Sequence, residues 1–428
     1  MSVADEQPTT TVEKYRSLDT STNEIRLLSF ETTTKDTPVR LNLQYVTLND
    51  WRPEYVTFRD QNTSQESSRL SEAWSEHVKF TLDMPHRELY NIISRFTWGD
   101  YICLSYTWGD CDGDQATIFL DGVATAVSKH LEAALRALKS SVECELGMRV
   151  WVDALCINQA DLDDRNEHVL RVKDIFGQAF SVTSWVNESG DYRGFHEPGE
   201  SILLCDKVMN LFGRQTLEEL LGMRDRDWGT NETEDEQIMA VVRDIDVLIF
   251  DQFHWTDSDD DDDYGLARLH LSDSVCVELT MLFRKKYWSR LWIIQELAVS
   301  PMASKVHWGD STFDISTLQA LCEILSPVIM SGEAWKEMKP SVDLLAFITT
   351  WRKLEATPGV AERFSDDIVR ELNLLAQRVS CSLPQDTVYA ILGLFPSSIS
   401  SSVVIDYSRE ATEILAEFSS MVPEWNCT

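Results

Sequence analysis

Paired cysteines are missing from this chain. Nine cysteines stand singly, at positions 103, 111, 144, 156, 205, 276, 322, 381 and 427, with no CxxC step and no Cys/His cluster of zinc spacing. A zinc finger or a disulfide framework is therefore not expected. The odd count, with the polar start MSVADEQPTT, reads as a reducing, cytoplasmic setting. No apolar run approaches the roughly 20 residues that cross a bilayer, so no membrane span is expected. Phosphate-cradling loops of the GxxxxGK[ST] or GxGxxG kind are absent as well. Eight scattered histidines and the lack of a GxSxG elbow leave no local hydrolase signature.

Positive charge is also scarce. Thirty-eight Lys and Arg face 71 Asp and Glu, a formal net charge of −33 over 428 residues. Such a field repels nucleic-acid backbones and anionic lipid surfaces, so neither is expected as a partner. Much of the excess lies in residues 225–263, including Asp257 and the run Asp259–Asp263. That run reads as a solvated loop. It lacks the alternating ligands, turn glycine and closing Glu of a calcium-binding loop, and no metal site is expected.

What is present is ample for a core: 43% hydrophobic residues, 10% aromatics and 14 tryptophans. Residues 1–22 are polar and expected to be flexible. EIRLLSFE (24–31) and VRLNLQYV (39–46) alternate as two strands joined by a polar turn. From 101 onward strands and helices alternate. YICLSY is followed by a strand pair around Asp121-Gly122 and by a helix over 128–140 capped by Ser128. A strand at Val150–Val152 ends on Asp153, and a helix follows with an apolar stripe of Val169, Val172, Phe176 and Ala179. SVTSWV (181–186) is a third strand of this series and SKVHWG a fourth, separated by an insertion over about 187–285. The stretch 287–300 reads as one helix, as does Val388–Leu394, and the tail carries amphipathic helices. This alternation predicts an α/β fold with a parallel sheet flanked by helices on both faces.

In such a sheet the strand ends gather reactive groups at one edge. The first strand delivers Ser105, Tyr106, Trp108 and Asp110; the second delivers Asp153, then Cys156, Asn158 and Gln159. Cys156 reads as a small buried thiol. In the 287–300 helix, Leu291, Ile294 and Ala298 form an apolar stripe, with Ser289, Trp292 and Glu296 on a shared side. A carboxylate between apolar neighbours and an indole is suited to stabilising a developing cation. Glu296 in a salt bridge with Arg290, on a helix that only packs, is the alternative.

Three blocks in order, YICLSYTWGD, VWVDALCINQADLDDRNEHVLRVKDIFGQAFSVTSWV and YWSRLWIIQELAVS, together resemble the fungal HET (heterokaryon incompatibility) domain. IRLLSFE and LPQDTVYAILGL resemble segments that flank it. The resemblance spans residues 23–410, with a core at about 98–310, the acidic insertion inside it, and a C-terminal helical extension over 311–428. HET domains are in turn similar to TIR domains, whose fold is flavodoxin-like. There a Trp precedes the catalytic Glu by four residues, the spacing of Trp292 and Glu296. The resemblance implies a cell-death effector that cleaves NAD⁺ at the nicotinamide–ribose bond on self-association, with NAD⁺ or a related nucleotide as substrate, no separate cofactor, and an activating partner protein as a further possibility. Glu296 is then the catalytic carboxylate, and Ser105, Tyr106, Trp108, Asp110, Asp153, Arg290 and Trp292 line the substrate cleft. A non-catalytic adaptor, or a glycosidase acting on other nucleotides, is the competing expectation.

Overall fold

A computed structural model describes residues 15–31, 37–48, 101–108, 115–145, 147–187, 253–256, 268–271, 279–301, 304–309, 311–315, 318–319, 333–355 and 366–425. Asp110, the acidic run and most of the insertion lie outside these residues.

The sequence alternation resolves into eleven described strands. They are β1 (Glu24–Phe30), β2 (Arg40–Thr47), β3 (Tyr101–Tyr106), β4 (Gln115–Leu120), β5 (Val123–Ser128), β6 (Arg149–Trp151), β7 (Ser181–Trp185), β8 (Phe253–Thr256), β9 (Arg268–Leu271), β10 (Lys305–Trp308) and β11 (Ser311–Asp314). β8 and β9 form a separate pair. The other nine make one sheet in the order β11-β10-β7-β3-β6-β1-β2-β4-β5. The turn between β4 and β5 is the Asp-Gly turn: Asp121 and Gly122 take φ of +50° and +77°, which a short-chain polar residue and glycine tolerate. The described helices longer than one turn are α1 (Lys129–Lys139), α2 (Leu162–Gln178), α3 (Ile293–Ala298), α4 (Glu333–Glu355), α5 (Asp366–Ala376) and α6 (Ala411–Met421). Ser128 Oγ accepts the Leu131 N–H at the start of α1, and Asp161 accepts two N–H groups at the start of α2.

The sheet is mixed rather than parallel throughout. β6, β3, β7 and β10 run parallel to one another, whereas β1 pairs antiparallel with both β2 and β6, and the β4–β5 and β10–β11 hairpins close the two edges. Every residue of β3 and of β7 is buried, as central strands covered on both faces require. The pleat sends Tyr101, whose hydroxyl donates to the Ile175 carbonyl at 2.6 Å, toward α2. The opposite face carries Tyr106, whose ring stacks 6.2 Å from His130 of α1. The predicted stripe of α2 is widened by polar groups. His168 and Arg171 are buried with Val172, Ile175 and Phe176, while Val169 is half-buried. Residues 15–22, expected to be loose, are tied down by Tyr15, which donates to the Leu155 carbonyl at 3.1 Å, and by Arg26, which reaches the Arg16 carbonyl at 2.8 Å.

Two helices read from periodicity are broken. Residues 287–300 split into a 3₁₀ turn, Lys286–Ser289, and α3, with Arg290 extended between them. Arg290 forms an isolated parallel bridge with Ser380; the Leu291 N–H donates to the Ser380 carbonyl at 2.9 Å. The Val388–Leu394 stretch likewise divides into a helical turn, Asp386–Tyr389, and a 3₁₀ turn, Leu392–Leu394. Hydrophobic residues collect in two clusters, one around the sheet with α1 and α2, the other joining α3 to the C-terminal helices. Trp292 and Val299 pack against both.

Candidate active site

Ser105 sits on the α2-facing side of β3, one residue from the strand's end, in register with Ser184 of β7. It is 1% exposed. α3 crosses this face and places Glu296 against it, so that the Ser105 hydroxyl donates to Glu296 Oε2. Ser105 has a single proton, already given to the carboxylate. The Tyr287 hydroxyl, 2.9 Å away, therefore donates to Ser105 in its turn. Burial, reinforced by the Glu296 charge, pushes the Tyr287 phenol well up and keeps it a donor. On the other side Arg290 Nη2 donates to Glu296 Oε1 at 3.3 Å. Glu296 is 5% exposed, and both of its oxygens have a partner.

A second carboxylate faces the same guanidinium. Asp153 follows β6, at the first residue of the one-turn helix Asp153–Cys156. Burial raises it from 3.8 to about 6; the nearby Arg290 charge and the Trp108 hydrogen bond pull the other way, and the Glu296 charge adds to the rise. Arg290 thus lies in the field of two acids. Burial opposes its charge, and Glu296 and Asp153 outweigh that cost and hold it protonated. Its Nη1 is buried and makes no hydrogen bond. Trp108, at the strand end beyond β3, donates its indole N–H to Asp153 Oδ2 at 2.7 Å and leaves the ring 48% exposed. Ends of β3, β6 and α3 therefore bring Ser105, Trp108, Asp153, Arg290 and Glu296 into one constellation.

Two predicted residues sit differently. Tyr106 projects to the α1 face; Asp153 reaches it there as a raising influence on its phenol, second to burial. Trp292 keeps its spacing to Glu296, whose N–H donates to the Trp292 carbonyl at 3.0 Å, but its half-buried ring packs against both hydrophobic clusters. Asp110 lies outside the described residues. Tyr287 escaped sequence reading because it meets Ser105, 182 residues away, only through the fold. The Cys156 thiol is fully buried and pushed up to about 12 by burial, which leaves it an inert packing group. Among the described residues no cluster of His, Cys, Asp and Glu is arranged to hold a metal, and no helix is long and apolar enough to cross a membrane. A cavity of about 500 Å³ opens on the α1 side, lined by Arg136, Trp185, Lys305 and His307, and does not include Glu296.

This is an α/β protein whose buried carboxylate, guanidinium and hydroxyls meet at the ends of parallel strands. Residues 101–296, from the first residue of β3 to Glu296 itself, match the model of the heterokaryon incompatibility protein (HET) family. That segment is a HET domain. Over 105 residues the chain is 30% identical to heterokaryon incompatibility protein 6, OR allele, of Neurospora crassa, a stretch that covers 21% of this chain and 15% of that relative. No solved structure matches the chain.

Proposed function

We propose that the protein is a fungal incompatibility effector that acts in cell death by cleaving NAD⁺ at the nicotinamide–ribose bond on self-association, with Glu296 as its catalytic carboxylate. The HET match and the Neurospora relative support the incompatibility role. The observation that carries the chemistry is Glu296 itself, a buried carboxylate held by Ser105 and Arg290 at the edge where β3 and β6 end. The parallel strands β6-β3-β7-β10 follow the chain order second, first, third, fourth. That is the winding of a flavodoxin-like sheet, with its ligand crevice beside the first strand. This order supports a TIR-like core, and Ser105 lies at the reversal point.

The chemistry asks little of a general acid. As the C1′–N bond breaks, its electron pair goes to the pyridinium nitrogen and nicotinamide leaves neutral. The sugar carbon left behind is oxocarbenium-like, and a carboxylate beneath the ring stabilises or traps it. Water then adds at C1′ and releases a proton, giving ADP-ribose. Arg290 Nη2 donates to Glu296, and its unpartnered Nη1 is a donor for a phosphate or ribose oxygen. Asp153 offers an acceptor for ribose hydroxyls, and the exposed Trp108 ring a stacking face for a base.

One observation favours a second reading. Glu296 is closed off and both its oxygens are engaged, which suits an adaptor that never admits a substrate. Glu296→Gln separates the two. Gln preserves size and an acceptor for Ser105, so an adaptor keeps its assembly and signalling. The enzyme loses nicotinamide release by roughly 100-fold or more.

A further inference from the structure

The nine-stranded sheet ends on one side at β5, which among the described residues pairs only with β4. The Phe119 and Asp121 N–H groups donate to the Val39 and Leu41 carbonyls on the β2 side of β4. Ile118 and Leu120 therefore turn their backbone groups to β5, where they meet Thr125 and Val123. Ala124 and Ala126, in between, direct their N–H and C=O groups outward. An open edge of this kind is a template for another strand, and proteins commonly blunt it with lysine, proline or a bulge. β5 has none of these. Its register against β4 is unbroken, and VATAVS carries no charge and no proline in a chain of net charge −33. Val123 is 51% exposed, and Ala124 and Ala126 are exposed as well. The opposite edge, β11, is shorter, at four residues, and bears Asp314.

Residues 123–127 read V-A-T-A-V in either direction. Two antiparallel copies related by a two-fold axis at Thr125 therefore set like against like: Val123 against Val127, Ala124 against Ala126, and Thr125 against itself. Ala124 of one copy and Ala126 of the other are then a hydrogen-bonded pair, exchanging both of their outward bonds, and the axis repeats the pair. Threonine facing threonine is a favourable cross-strand contact. In the same register Asp121, just before the strand, falls opposite Lys129, just after it, and both are exposed. A slip of two residues either way loses this match of charge and the identity of the facing residues. A neutral strand also suits contact between two copies of like net charge, since an acidic one would add to their repulsion. A strand of other sequence would not share this symmetry.

We propose that β5 is the surface through which the protein self-associates, joining two copies edge to edge in one continuous sheet with the two-fold axis at Thr125. This rests on the self-association part of the reading above and not on the cleavage of NAD⁺. Its test is sedimentation velocity over a range of protein concentrations, with cross-linking beside it. Ala126→Pro removes an outward N–H and leaves the bonds to β4 in place, a position where an edge strand accepts proline. It is expected to raise the dimer dissociation constant by roughly tenfold or more, with the thermal midpoint little changed. Thr125→Cys sets two thiols across the axis at a non-hydrogen-bonded pair, with Cα atoms about 4.5 Å apart and so within disulfide reach. Mild oxidation is expected to give a covalent dimer on a non-reducing gel, absent from the wild type and from Val404→Cys, an exposed site in the C-terminal region. Association of Ala126→Pro at wild-type strength, or a Thr125→Cys chain that stays uncoupled, overturns the proposal. If Ala126→Pro does not fold, the cross-link decides alone. A wild type that stays monomeric throughout overturns self-association itself. One that associates equally well with Ala126→Pro in place overturns only the surface, whatever nicotinamide release shows.

Discussion

Asp153 and Glu296 share one guanidinium, yet their surroundings differ, and the difference has a measurable consequence. Asp153 is raised to about 6 chiefly by burial, against 3.8 in an open chain. Between those values the folded state holds a proton that the unfolded state has lost, so stability falls as pH rises through this window. The contribution is below about 3 kcal/mol, since the carboxylate retains some contact with water. Asp153→Asn is expected to flatten the decline of the thermal midpoint between about pH 4 and pH 6 and to raise the midpoint at pH 7. Parallel profiles for variant and wild type would contradict this. Residues of this kind were partly legible. Asp153, Ser105 and Glu296 stood out because polar groups interrupted apolar segments at predicted strand ends or on a helix. The buried pair of Arg26 and Asp164, 2.8 Å apart, did not, because nothing near Arg26 in EIRLLSFE announces a partner 138 residues away.

At the scale of elements, legibility followed the range of the interactions. The Asp121-Gly122 turn and the Ser128 cap were readable because each is decided by its own few residues. The antiparallel β1–β6 contact was not, since Leu28 meets Val150 only through the sheet. The periodicity of 287–300 read as one helix, and the break at Arg290 comes from Ser380, some ninety residues on. That extended residue is what lets Arg290 reach Glu296 across the start of α3. The grip on α3 is tight at Gly393. A Cβ there would lie 2.7 Å from Gln295 Oε1, 2.8 Å from its Cδ and 3.0 Å from Lys173 Cβ. Gln295 is buried and cannot simply swing out. Gly393→Ala is therefore expected to destabilise the protein by about 1–3 kcal/mol, as overpacking does. Denaturant unfolding checks this, and an unchanged midpoint would show that α3 has room to shift.

For the whole molecule, the balance of charge governs association. A net charge of −33 makes two copies repel at long range, and salt screens that repulsion over a Debye length of about 8 Å at physiological strength. Self-association is therefore expected to strengthen as NaCl rises from about 0.05 M to 0.5 M, followed by sedimentation velocity at fixed protein concentration. Weaker association at higher salt would mean that the contact is built on opposite charges instead. The α/β class was legible across the chain, whereas the antiparallel strands that make the sheet mixed were not read as part of it. The hydrogen bonds that α3 and its approach make with α4, Ser380 and Gly393 were not legible, because they join segments distant in sequence.

The central claim is that Glu296 stabilises the sugar cation formed as nicotinamide leaves. The measurement that tests it most directly is chromatographic detection of nicotinamide from NAD⁺ over a range of protein concentrations, for the wild type and Glu296→Gln side by side, with matched thermal midpoints as the control for folding. The account predicts release that climbs more steeply than in proportion to wild-type concentration and falls by roughly 100-fold or more in the variant. Release by Glu296→Gln at the wild-type rate, or none from the wild type at any concentration, would contradict it.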